Sequence, residues 1–97
     1  MFREINERIE DIAASQGPED GHVYEFFCEC SNRDCTLRVE LTVAAYEAVR
    51  RESAQFVVAP GHELPEIEDV VARGSGYEVV RKRGAAAMVA EAEDPRA

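Results

Sequence analysis

The sequence predicts an α+β fold in which a small mixed or antiparallel sheet packs with two helices. Two observations predict it. Segments with helical periodicity alternate along the chain with short segments rich in β-branched and aromatic residues. The chain has only 97 residues, which suits one domain but leaves a modest core that a cross-link would stabilise.

The first predicted element is a helix over residues 2–14, followed by a break at "QGPEDG". Its apolar side chains recur with helical spacing at Phe2, Ile5, Ile9 and Ile12. We favour a helix that covers the sheet of its own chain with this stripe. The alternative is a projecting helix whose stripe binds a second copy or another protein.

Two strands follow, "VYEFFCEC" and "TLRVEL", joined by the turn "SNRD". Thr42 then provides an N-cap for a second helix, "VAAYEAVRRES", and "QFVVAP" forms a third strand. The segment "ELPEIEDVVARGSG" begins either a short helix at Pro65 or a hairpin around Gly-Ser-Gly, and the flanking valines favour the hairpin. Residues 84–97 are predicted to be a flexible, acidic, Ala-rich tail, so the domain comprises residues 1–83.

All three cysteines lie at the tip of the predicted hairpin. Residues i and i+2 of a strand point to the same face, so Cys28 and Cys30 project together, with Cα atoms roughly 6.6 Å apart. The turn can return Cys35 to them, and His62 lies on a Pro-Gly turn that can aim its ring at the hairpin tip. These four residues are a Cys3His set, which predicts one structural Zn²⁺ ion per chain.

Other interpretations of the cysteines stay open. They can be small buried apolar residues, although the polar neighbours Glu29, Asn32, Arg33 and Asp34 argue against burial of this turn. They can also form a redox or catalytic thiol site in which His62 is the base. A disulfide between neighbouring cysteines would be strained and would leave one thiol over. His22 would lie roughly 20 Å from the tip along an extended strand, too far to be a ligand.

No motif of the sequence predicts an enzyme. The segment "HELPE" begins like the zincin motif H-E-x-x-H, but the second histidine is absent and Pro65 breaks the helix which that motif needs. The sequence has no Gly-rich phosphate loop and no Ser-His-Asp pattern.

Five segments together resemble a set of short proteins of actinobacterial type that share a C-x-C-x4-C…P-G-H pattern. They are "FREINERI", "EFFCECSNRDCTLRVELT", "YEAVR", "FVVAPGHE" and "VVRK", and they extend over residues 2–82. The resemblance implies that the three cysteines and His62 belong to one motif. It implies no activity and no catalytic residue.

The charge of the chain limits the classes of partner that it can bind. Acidic residues outnumber basic ones by 20 to 11, and the net charge is −9. Nucleic acids and anionic membranes are therefore poor partners, whereas a basic protein surface is a suitable one. The first residues contain no apolar signal segment, and no stretch is long enough to span a membrane, so we expect a cytoplasmic location in which thiols stay reduced.

These observations predict a small cytosolic zinc-binding domain that acts as a protein-interaction or regulatory module, as a monomer or a weak homodimer. The alternatives are a thiol redox sensor whose zinc–thiolate cluster is oxidised, or a Cys/His thiol enzyme.

We expect negligible binding to duplex DNA at physiological salt, because the net charge of −9 opposes contact with phosphates. Fluorescence anisotropy with labelled duplexes at several salt concentrations measures it. Salt-sensitive binding with a Kd below about 1 μM would contradict this expectation.

Overall fold

A computed structural model describes residues 2–15, 21–32 and 34–96, and the α+β prediction is confirmed. The predicted break after the first helix lies mostly outside these residues. The elements are α1 (Arg3–Ser15), β1 (Val23–Phe27), β2 (Arg38–Thr42), α2 (Val43–Arg50), β3 (Gln55–Val58), β4 (Glu68–Gly74), β5 (Tyr77–Lys82) and α3 (Gly84–Ala92). No helix in the described part of the chain is long and apolar enough to cross a membrane.

The strands form two small antiparallel sheets rather than one. Strands β1 and β2 make a hairpin in which Val23 pairs with Thr42 and Phe27 with Arg38. The second sheet has the order β3-β5-β4, and β4 is irregular between Val70 and Ala72. Residues 68–82 therefore form the predicted hairpin and not a helix, because β4 pairs with β5 on both sides of this irregularity.

A short backbone link joins the two sheets just beyond the end of β1. The amide of Glu29 donates to the carbonyl of Val57 in β3 at 2.8 Å. The core lies around this link, with Phe26 stacked on Tyr46 at a centroid separation of 4.5 Å, and both rings are fully buried. The cysteines belong to the same core cluster, so this link brings the hairpin tip against β3.

Helix α2 begins and ends close to the predicted positions. The hydroxyl oxygen of Thr42 accepts a hydrogen bond from the amide of Ala45 at 3.0 Å, which is the predicted N-cap. The helix ends at Arg50, slightly before the predicted end. The same face of the helix carries Tyr46, which packs in the core, and Arg50, which pairs with Glu7 of α1.

The prediction that the apolar stripe of α1 is internal is wrong for two of its members. Ile5 and Ile12 are 43% and 59% exposed. Ile9 is partly buried against the core, and Phe2 stacks on Phe27 at 5.4 Å. The fully buried face of α1 carries other residues, namely Arg3, Asn6, Glu10 and Ala13.

Hydrogen bonds explain why α1 buries a polar face. Asn6 accepts from the amide of Phe27 at 2.7 Å and donates to its carbonyl at 2.8 Å. Arg3 donates to the carbonyls of Ser53 and Gln55. These strand-end groups are buried or partly buried and need partners, so α1 docks through side chains that can supply them.

The structure also differs from the predicted flexible tail at residues 84–97. Gly84–Ala92 form α3, and Ala90 is buried against the core. Beyond the helix, the carboxylate of Asp94 binds the guanidinium of Arg50, whose side chain is fully buried. Alanine has the highest helix propensity, and the Ala-rich composition that suggested a tail favours this helix.

Arg96 extends the same contact to α1 and α2. It pairs with Glu7 and Glu47, and its Nη2 lies 3.7 Å from a carboxylate oxygen of Glu10. Residues 94–96 and their partners on α1 and α2 form a cluster that we call the ionic clamp. The clamp attaches the segment after α3 to both other helices.

Replacing Asp94 with alanine should lower the free energy of unfolding by about 3 kcal/mol, the low end for breaking a buried pair, because Glu7 still faces Arg50. Urea denaturation measures it. Glu91→Ala, at an exposed position of α3, is the control and should change stability by less than about 0.5 kcal/mol. Equal stability of the two variants would contradict the clamp.

The clamp should also make stability depend on pH. Burial raises the pKa of Asp94, but hydrogen bonds from Arg50 and Ser53 outweigh it and hold the pKa well below 3.8. The stabilisation is therefore complete above the unfolded-state pKa and is lost as the pH falls from about 4 toward the folded-state value. Below pH 4 the difference between wild type and Asp94→Ala should shrink.

Candidate metal centre

The structure brings together the four residues that the sequence predicts as ligands. The sulfur atoms of Cys28, Cys30 and Cys35 and a ring nitrogen of His62 all lie within 4.8 Å of one another. The Nδ1 atom of His62 is 3.6 Å from the sulfur of Cys28 and 3.6 Å from that of Cys35. His22 is outside the group, as expected, and its ring lies 4.5 Å from that of Tyr24.

The first two cysteines are positioned by the continuation of the β1–β2 hairpin. The amide of Cys28 donates to the carbonyl of Leu37 at 2.9 Å, one residue beyond the last paired strand residues. The amide of Glu29 donates in the opposite direction, to β3. Cys28 and Cys30 therefore lie on an extended segment held from both sides.

A local turn returns the third cysteine to the first two. The side-chain oxygen of Asn32 accepts from the amide of Asp34 at 3.0 Å, and its carbonyl accepts from the amide of Cys35 at 3.2 Å. Asparagine commonly makes such side-chain contacts to the backbone two residues later. Arg33, in the same predicted turn, lies outside the described residues.

His62 is placed by a tight turn after β3. The carbonyl of Ala59 accepts from the amide of His62 at 3.0 Å, and Gly61 has φ 81°. Proline at the second position and a left-handed glycine at the third are typical of a type II turn. Glu78 in β5 supports the turn, since its carboxylate accepts from the amide of Gly61 at 3.3 Å.

All three thiols are free and buried. The expectation that the polar neighbours argue against burial of the cysteines is therefore wrong, although Ser31, Asn32 and Asp34 of the turn are themselves exposed. The polar neighbour Glu29 does not keep the cysteines exposed, because it is itself buried and only 1% exposed. In an extended segment it faces away from Cys28 and Cys30, so it enters the protein on the opposite side.

None of the sequence motifs predicts that Glu29 binds buried donors. Its position between two cysteines on an extended segment nevertheless indicates that it faces the side opposite to them. Its carboxylate accepts from Asn6 at 2.8 Å, from the hydroxyl of Tyr46 at 3.2 Å and from the amide of Val57 at 3.0 Å. Burial raises the pKa of Glu29, and the hydrogen bond from Asn6 and the charge of Arg3 counteract it. The carboxylate thus fixes the strand segment that carries two of the candidate ligands.

Burial affects the protonation of one candidate ligand, Cys28. Burial raises the pKa of Cys28 to about 12, although the amide of Ala59 donates to its sulfur at 3.1 Å. Without a positive charge nearby, this thiol would stay protonated at neutral pH. A bound metal ion would stabilise the thiolate directly. Because the four ligand atoms lie within 4.8 Å of one another, these residues could hold a metal ion.

Replacing Glu29 with glutamine should lower the free energy of unfolding by about 1–3 kcal/mol. The NH2 group of glutamine is a donor and would face groups that donate hydrogen bonds to the carboxylate in the wild type. Urea denaturation at constant metal content measures it. Glu25→Gln, the same change at an exposed position of β1, is the matched control, with an expected effect below about 0.5 kcal/mol. A Glu29→Gln variant as stable as its control would show that the contacts do not fix the strand.

Comparisons of the chain with protein-family models, with curated proteins and with solved structures gave no match. The resemblance to short actinobacterial-type proteins therefore stays a prediction.

Proposed function

We propose that this chain is a small zinc-binding domain that acts by binding another protein. One observation carries the proposal: three cysteine sulfurs and one histidine nitrogen lie within 4.8 Å of one another. Soft thiolates with imidazole favour zinc over magnesium or calcium.

Two distances between candidate ligand atoms match those of tetrahedral zinc. Zn–S bonds of about 2.3 Å and Zn–N bonds of about 2.0–2.1 Å place tetrahedral sulfur and nitrogen ligands about 3.6 Å apart. The Nδ1 atom of His62 lies 3.6 Å from the sulfurs of both Cys28 and Cys35. The hydrogen bond from the amide of Ala59 to the sulfur of Cys28 is the kind of outer contact that orients a ligand.

The donor set favours a structural role for the ion. Four protein ligands fill a tetrahedral zinc site and leave no position for water or substrate. Three ligands come from the tip of the β1–β2 hairpin and the fourth from the loop after β3. The ion would therefore fasten the two sheets together at one end.

The proposed partner is a protein with a basic surface. The net charge of −9 attracts such a surface and speeds its association. We further propose a cytoplasmic location, because a zinc–thiolate site persists where thiols stay reduced.

The second candidate is a thiol redox sensor at the same centre, and the proximity of the three sulfur atoms favours it. Two of these thiolates can form a disulfide by losing two electrons to a peroxide, with release of the metal. A thiol enzyme has less support, since all three thiols are buried and a substrate would have little access to them.

Purified protein should contain about one zinc ion per chain by elemental analysis. Cys30→Ser and His62→Ala should each reduce zinc content. Each should also lower Tm by about 10 °C or more, since a loss of 1 kcal/mol costs a domain of this size about 4–8 °C.

His22→Ala is the matched control, because His22 is outside the cluster, and it should keep both the metal and Tm. Native mass spectrometry reports the metal and the oligomeric state together. A wild-type protein that folds with the same Tm after chelation would overturn the structural role.

A further inference from the structure

A cavity of about 610 Å³ opens between α1, α3 and the three-stranded sheet. Its volume lies within the range of about 300–1,000 Å³ typical of small-molecule sites. Ala86, Val89 and Ala90 of α3 form one wall, and Phe56 of β3 forms part of the opposite side. Short alanine side chains leave this space between the helix and the sheet open.

Two cationic side chains line the cavity at buried positions. Arg3 is 3% exposed and Lys82 is 9% exposed. The guanidinium carbon of Arg3 lies 3.6 Å from the centroid of the Phe56 ring, and the Nζ atom of Lys82 lies 5.0 Å from the same centroid. Both positive charges therefore lie beside one aromatic ring that also faces the cavity.

The charge of Arg3 is incompletely compensated. Lys82 pairs with the carboxylate of Glu68 at 2.6 Å, whereas the hydrogen bonds of Arg3 go to two neutral carbonyls, those of Ser53 and Gln55. Its buried Nε has no acceptor among the residues that the structure describes. Burial lowers the pKa of Arg3, and the charge of Glu29 only partly offsets this. An anion in the cavity would add the missing compensation.

The other residues that line the cavity limit the kind of anion that can bind there. Glu4 and Glu93 are exposed acidic residues that also line the cavity, and the chain as a whole carries −9. Repulsion opposes ligands with several negative charges, such as nucleotides. A single carboxylate can be accommodated beside the buried cations, and an apolar body matches the alanine and valine wall.

We propose that this cavity binds a monocarboxylate with an apolar body, whose carboxylate lies toward Arg3 and Lys82 and whose body lies against Phe56 and α3. The site is separate from the cysteine–histidine cluster and does not depend on the function proposed for it.

The head group of the ligand is tested first, with three probes that share one apolar chain: octanoate, octanamide and octylamine. Each is titrated into ¹⁵N-labelled protein as purified. Octanoate should shift the amide signals of Phe56, Ala86 and Ala90 and saturate at least ten-fold more tightly than octanamide, with octylamine weaker still. Equal or tighter binding of octanamide or octylamine, or no saturable binding of octanoate, would overturn the proposal.

The location of the site is tested with two identical substitutions on α3. Ala86→Trp fills the cavity and should weaken octanoate binding at least ten-fold. Ala85→Trp, at an exposed neighbouring position outside the lining, should leave the affinity unchanged. Retained affinity in Ala86→Trp, or an equal loss in both variants, would place binding elsewhere and refute the assignment.

Arg3→Gln separates charge recognition from a structural effect. It should weaken octanoate binding at least ten-fold and leave octanamide binding unchanged, whereas a loosened cavity would weaken both probes. If this variant does not fold, the head-group series on the wild-type protein still decides the question.

Discussion

The fold depends on one carboxylate placed between two cysteines. Glu29 is buried and accepts hydrogen bonds from α1, α2 and β3, through Asn6, Tyr46 and the amide of Val57. Because side chains alternate along an extended segment, anchoring Glu29 on one side directs Cys28 and Cys30 to the other. One side chain thus contributes to helix docking, to the joining of the sheets and to the direction of two candidate ligands.

The two sides of the extended segment formed by residues 28–30 constrain each other. On one side lies a buried acid with several donors, and on the other lies a Cys3His cluster near Ala59 and the turn that carries His62. A displacement of the strand by one residue would turn Glu29 toward Cys35 and His62, and would turn the thiols of Cys28 and Cys30 toward the donors that now bind Glu29. Both sets of contacts are satisfied in one register only, which gives the small hairpin a well-defined position despite its modest length.

Periodicity and turn chemistry made much of the fold predictable. The valines on both sides of Gly-Ser-Gly indicate the β4–β5 hairpin, Thr42 indicates the start of α2, and the cysteines together with His62 indicate the cluster. Each of these signals acts through backbone geometry that neighbouring residues determine, although His62 lies 27 positions after Cys35 along the chain. The prediction of the site needed only the additional fact that the Pro-Gly turn follows a strand.

The remaining features depend on contacts between distant residues. The buried face of α1 is polar because strand-end groups near Phe27, Ser53 and Gln55 need partners, and nothing local in the α1 sequence shows that. The Ala-rich segment resembled a tail because its buried contacts are made by Ala90 and Asp94 alone among its described residues. The partner of Asp94 is Arg50, 44 positions earlier.

The ionic clamp has a consequence for the order of folding. The contact between Arg96 and Glu7 spans 89 positions, and the loop that it closes is long. The entropic cost of closing such a loop grows slowly with its length, but long-range contacts form late. During synthesis the two sheets and α1 can therefore assemble while the buried side chain of Arg50 still lacks Asp94. The nascent domain would pass through a state in which the buried Arg50 has Glu7 but not Asp94 as an acidic partner, and that state would persist until residues 94–96 emerge.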